Sequence, residues 1–136
     1  NYRYFDPNGN FLIAIDSDNI KSEELLRVKI HNRIDLLFKN NIHCGFILYN
    51  AIRSLVRFDK NFEKGDENYN YLFLVNDLSE YLNLITESNW NKLEQKNMQL
   101  RNKLEKIRKN LQDKDHSLEP VFALDNQCQN ILDDYY

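Results

Sequence analysis

Residues 88–114 read SNWNKLEQKNMQLRNKLEKIRKNLQDK, a stretch with no glycine, no proline and no run of β-branched residues. Its apolar residues stand at Trp90, Leu93, Leu100, Leu104, Ile107 and Leu111. With Asn97 filling one place, they follow the alternating spacing of three and four that marks a coiled-coil seam. Trp90, Asn97, Leu104 and Leu111 take the a positions; Leu93, Leu100 and Ile107 take the d positions. The spacing predicts one long helix. The stretch also holds eight Lys and Arg against three Asp and Glu, in a chain whose net charge is −3. A basic helix with an apolar seam inside an acidic chain points to a binding surface rather than an active site.

The charges beside the seam restrict its partner. Lys96 and Lys103 stand at g, and Arg101 and Arg108 at e, so a parallel homodimer would set like charges against each other. An antiparallel homodimer pairs Glu94 with Arg108 but leaves the lysines unmatched. The matching surface is an acidic helix, and the chain carries one. Residues 115–136 hold Asp115, Glu119, Asp125, Asp133 and Asp134 and no Lys or Arg. Pro120 suits a first helical position, and Val121, Leu124, Cys128, Ile131 and Tyr135 repeat the seam. The expected arrangement is an αα-hairpin of a long basic helix and an acidic one. A tail of about 16 residues at ~1.5 Å per residue would leave Trp90 to Leu100 open for a partner.

Upstream, Asp6-Pro7-Asn8-Gly9 is turn chemistry, with Asn and Gly suited to positive φ. Tyr2, Tyr4 and Phe5 precede it, and Phe11, Leu12, Ile13 and Ile15 follow, which predicts a β-hairpin over 2–15. Residues 16–21 read as a linker and Ser22 as an N-cap, with Glu23 and Glu24 in the first turn. Leu26, Ile30, Ile34, Leu37 and Phe38 then suggest one face of a helix over 22–39, ended by Asn40-Asn41. A second helix is expected over 44–58, with Leu48, Ile52, Leu55 and Val56 inward and Arg53 and Arg57 outward. Residues 59–70, with Gly65 and mixed charges, read as a surface loop and the candidate mobile segment. A third helix over 70–86 would bury Leu74, Leu78, Tyr81, Leu82 and Ile85; Tyr69, Tyr71 and Phe73 make it apolar on further sides. The expected fold class is therefore mainly α, about five helices with an N-terminal β-hairpin. The expected organisation is a single helical domain over 1–136: hairpin 2–15, three-helix core 22–86, and a helical hairpin or coiled-coil-like extension over 88–136.

Composition excludes several classes. No run approaches the ~18 apolar residues of a membrane span. Two cysteines, Cys44 and Cys128, make no disulfide framework, so the expected setting is intracellular, cytoplasmic or nuclear. Twenty asparagines against three alanines and three glycines look like translation of an A+T-rich genome. The Asp-rich turn does not space ligands as a calcium loop does. From Asp6 the sixth and twelfth positions are Phe11 and Ser17, and from Asp16 they are Lys21 and Arg27. His43-Cys44 are adjacent rather than spaced as shared metal ligands, and His31 and His116 have no local partner. No G-x-S-x-G, H-E-x-x-H, C-x-x-C or phosphate-binding glycine loop occurs. No catalytic residue, metal ligand or cofactor is assigned.

The expected function is that of a non-enzymatic protein–protein interaction or scaffold module that self-associates through helical surfaces or binds an acidic helical partner. Trp90, Leu93, Asn97, Leu100, Leu104 and Ile107 are the candidate partner-binding residues. The alternative is RNA or DNA binding through the basic helix. There Lys92, Lys96, Arg101, Lys103, Lys106, Arg108, Lys109 and Lys114 would neutralise phosphates.

Overall fold

The computed structural model describes residues 2–16, 24–55 and 71–136. By contacts within the chain it divides into two compact units, Asn1–Ala51 and Ile52–Tyr136. The expected N-cap at Ser22, the outward Arg57 and the loop at 59–70 lie outside the described residues.

The first unit is a sheet. Its strands are β1 (Tyr2–Asp6), β2 (Phe11–Ile15), β3 (Leu25–His31), β4 (Ile34–Lys39) and β5 (Ile42–Tyr49). All neighbours pair antiparallel, in the order β1-β2-β5-β4-β3. This overturns the mainly α expectation, because the described residues of the helices expected over 22–39 and 44–58 form strands β3, β4 and β5 and a 3-10 turn. The physical reason lies in the residues that turn the chain. Asn40 and Asn41 both adopt positive φ (51° and 62°). They close a two-residue hairpin between β4 and β5 instead of ending a helix, since short polar side chains tolerate the left-handed region. Asn50 (φ 51°) leads β5 out into a short 3-10 turn at Ala51–Ser54. The spacing of Leu26, Ile30 and Ile34 imitates a helix, but the chain between them alternates strictly: Leu26-Arg27-Val28-Lys29-Ile30-His31.

The turn from β1 to β2 is held by Asp6, whose carboxylate accepts from the backbone N–H of Asn8 and of Gly9, both at 3.1 Å. The left-handed residue of this turn is Asn10 (φ 50°), not Gly9. Asn10 is buried and donates through its side chain to Asn50 Oδ1 at 2.9 Å, which ties two turns at one end of the sheet. Across the sheet, Ile15, Leu37 and Cys44 form a buried cluster, with Ile13, Leu25 and Ile47 packed against it.

The second unit is helical. After a 3-10 turn at Leu72–Leu74 come α1 (Val75–Leu84), α2 (Glu87–Glu94), α3 (Met98–Leu111) and α4 (Glu119–Tyr135). These four are the α-helices among the described residues, and the single long helix expected over 88–114 is two. The break is a Schellman motif. Lys96 adopts φ 56°, its N–H donates to the Leu93 carbonyl at 2.8 Å, and the Asn97 N–H donates to that of Lys92 at 2.9 Å. Asn97 then caps α3, its Oδ1 accepting from the N–H groups of Gln99 and Leu100 at 3.0 and 3.1 Å. The expected coiled-coil seam is thereby overturned, since Asn97 is a helix cap and not an a-position residue.

Gly45 on β5 stands opposite Ile15 of β2, with the β2 backbone close against it. A Cβ there would fall on the Ala14 carbonyl oxygen and 2.9 Å from Ile15 Cα, with backbone rather than a flexible side chain in the way. Gly45→Ala is expected to cost about 3 kcal/mol, the upper end of overpacking penalties. The cost should appear as a lower urea midpoint, and an unchanged midpoint would contradict this close approach.

Candidate functional site

The residues expected to meet a partner through the helical seam are mostly spent on the interior. Leu93, Leu100, Leu104 and Ile107 are buried, as is Leu111. On α4, Val121, Leu124, Cys128 and Ile131 are buried as well. The two helices run antiparallel, with Arg108 Nε on Asp125 Oδ1 at 2.9 Å and the Tyr136 hydroxyl donating to the Asn97 carbonyl at 2.6 Å. The acidic helix therefore reaches the segment Trp90–Leu100, which the sequence left open. The Trp90 ring lies 6.3 Å from that of Tyr135, centroid to centroid, while part of the indole stays exposed. The fold around the break at 95–97 makes this reach sufficient, because α2 does not extend the axis of α3.

The basic residues divide into two groups. Arg108 binds Asp125 and also donates to Gln129 Oε1. Arg101 pairs with Glu105 at 3.0 Å, and its guanidinium carbon stands 5.8 Å from the centre of the Tyr136 ring. Lys114 reaches Asp77 at 3.5 Å and the Asn110 carbonyl at 2.9 Å. Lys92, Lys96, Lys103, Lys106 and Lys109 are exposed, with no carboxylate partner among the described residues. On α3, Lys103, Lys106 and Lys109 lie away from the buried stripe of Leu100, Leu104, Ile107 and Leu111. An open depression of about 230 Å³ is lined by Glu105, Arg108, Lys109, Gln112 and Asp125. Its carboxylates are already engaged by Arg101 and Arg108.

A second surface was not found from sequence. Strand β3 is an edge of the sheet, and every residue from Leu26 to His31 is exposed. Leu26 is 58% exposed, Val28 38% and Ile30 56%. Leu26 and Val28 share a face, because successive strand residues alternate sides; Ile30 falls at the register shift between Lys29 and His31. Directly opposite residues also share a face. Leu26 therefore lies beside Phe38 and Val28 beside Leu36, both half-buried. The other face of β3 carries Leu25, Arg27 and Lys29; past the register shift between Lys29 and His31, His31 stands opposite Ile34. Arg27 Nε meets Asp35 Oδ2 at 3.3 Å. The Tyr49 hydroxyl donates to the same oxygen at 2.8 Å, and this bond raises the Tyr49 pKa above its ordinary value. Asp35 Oδ1 is buried without a hydrogen-bond partner among the described residues. The signal that could have revealed β3 is the two-residue alternation from Leu26 to His31.

Metal and thiol chemistry find no support among the described residues. No group of three His, Cys, Asp or Glu could hold an ion. Both cysteines are buried as free thiols. No described helix is long and apolar enough to cross a membrane. Comparison with protein-family models, curated proteins and solved structures finds no match for this chain.

Burial pushes the Cys128 thiol from its ordinary 9.0 up to about 12, with Asp125 adding to the effect. A raised pKa stabilises the fold fully below the unfolded value, and the contribution is lost as pH rises through the folded value. Stability is therefore expected to fall between pH 9 and 12, where only the unfolded thiol ionises freely. Urea midpoints across that range should decline more steeply for the native chain than for Cys128→Ala. Equal slopes would refute the assignment.

Proposed function

We propose that this chain is a non-enzymatic protein-binding module whose contact surface is the outer edge of β3. The observation that carries this reading is the exposure of six consecutive strand residues, Leu26 to His31, three of whose side chains are large and apolar. Edge strands present unpaired N–H and C=O groups that favour pairing with another chain. The helical seam is not the surface, because its leucines are buried. A photo-reactive amino acid in place of Val28 is expected to give protein adducts in a lysate of the source cells. The same group in place of the exposed Asn126 of α4 should give none. Equal labelling from both positions, or no adduct from position 28, would end the reading.

The five lysines with no carboxylate partner among the described residues favour a second reading, in which α3 and the end of α2 bind a nucleic-acid backbone. Its requirement is a steep salt dependence. With about four phosphates neutralised, affinity should drop on the order of 100-fold between 50 and 200 mM salt. Fluorescence anisotropy with labelled oligonucleotides measures this. No binding at low salt, or binding unaffected by Lys103→Glu with Lys106→Glu and Lys109→Glu, excludes it.

A further inference from the structure

We propose that β3 takes an added strand: an extended segment of a partner protein in which apolar and acidic residues alternate, paired along Leu25–Lys29. The inference rests on β3 being the contact surface and names what that surface recognises.

Main-chain pairing to a sheet edge supplies affinity that is indifferent to sequence, and side chains at alternate positions supply the choice of partner. On one face an incoming strand would extend the apolar row that runs from Leu36 and Phe38 to Val28 and Leu26. Apolar side chains at every second position suit that row. On the other face it would meet Arg27 and Lys29, and Leu25, which is packed against the core cluster. Asp35 offsets Arg27, whereas Lys29 is exposed with no carboxylate partner among the described residues. Opposite charges placed directly across a strand pair stabilise it and like charges oppose it, so acidic residues suit this second face.

The same arithmetic argues against a second copy of β3. An antiparallel pairing that keeps Leu26 and Val28 on one face must be centred on Arg27, Val28 or Lys29 to form most of its bonds. Centred on Arg27, it sets Arg27 against Arg27. Centred on Val28, it sets Arg27 against Lys29. Centred on Lys29, it sets Lys29 against Lys29 and Arg27 against His31. Each register opposes cations, and a register shift interrupts the strand beyond Lys29. The uninterrupted register with β4, Leu25 to Lys29, sets the length of the added strand at about five residues.

The test uses the whole chain, isotope-labelled, with two synthetic heptapeptides that alternate valine with glutamate or valine with lysine. The glutamate peptide should shift the amide resonances of residues 25–29 and slow their hydrogen exchange. It should bind at least tenfold more tightly than the lysine peptide, and Lys29→Glu should reverse that order. Equal binding of the two peptides, or shifts that spare β3, would overturn the inference. So would concentration-dependent shifts of β3 amides without peptide, which would identify a second copy as the occupant. Adducts from position 28 together with failure of both peptides would leave β3 as a contact surface and remove strand addition alone.

Discussion

Asparagine in the left-handed region is the constraint on which the sheet depends. Asn10, Asn40, Asn41 and Asn50 all adopt positive φ, and none of the described glycines does. Non-glycine residues resist this conformation by roughly 1–2 kcal/mol, and asparagine relieves it by local hydrogen bonding. Two of them also bind each other: the Asn10 side-chain amide donates to Asn50 Oδ1, so two turns support each other across forty residues. The β1–β2 and β4–β5 hairpins close at such turns, and β5 lies between β2 and β4 in the sheet. Without those turns β3 would have no sheet to edge.

Polar capping plays the corresponding part in the helical unit. The heptad spacing from Trp90 to Leu111 would continue through residue 97 if propensity alone decided. Instead Lys96 turns left-handed, and Asn97 satisfies two of the N–H groups that open α3. Two termini then stand where a continuous helix would have had none, each supplied with hydrogen-bond partners. The change of direction brings Trp90 toward Tyr135 and Asn97 toward Tyr136. Leu100, Leu104, Ile107 and Leu111 remain on one side of α3, where burial of each is worth about 2 kcal/mol before entropy is counted.

Much of the second unit was legible. Pro120 near the start of α4, the apolar periodicity of α1 and the complementary charge of Arg108 and Asp125 are local or pairwise signals, and each has its counterpart in the fold. The turn at residues 6–10 was legible through Asp6 and Pro7, although the positive φ falls one residue later than expected. The region from Leu25 to Tyr49 was not. There, Leu26, Ile30 and Ile34 satisfy a four-residue spacing and a two-residue spacing at once. The intervening Arg27, Val28, Lys29 and His31 favour the two-residue spacing, and the Asn40-Asn41 pair suits a helix end as well as a hairpin turn. The candidate site suffered accordingly. Most residues with the seam spacing are core, and Leu26, Val28 and Ile30, which are exposed, lie in a strand whose spacing also fits a helix.

Helix α3 meets two unlike environments, and this gives it two separate sets of constraints. Its leucines and isoleucine face the interior, where volume is restricted. Lys103, Lys106 and Lys109 face water and bind no carboxylate among the described residues. Arg108 and Lys114, by contrast, hold Asp125 and Asp77. Selection on surface charge can therefore act at the three lysines without passing through stability. At Arg108 and Lys114 the two are coupled, and drift there is visible to folding whatever the protein binds.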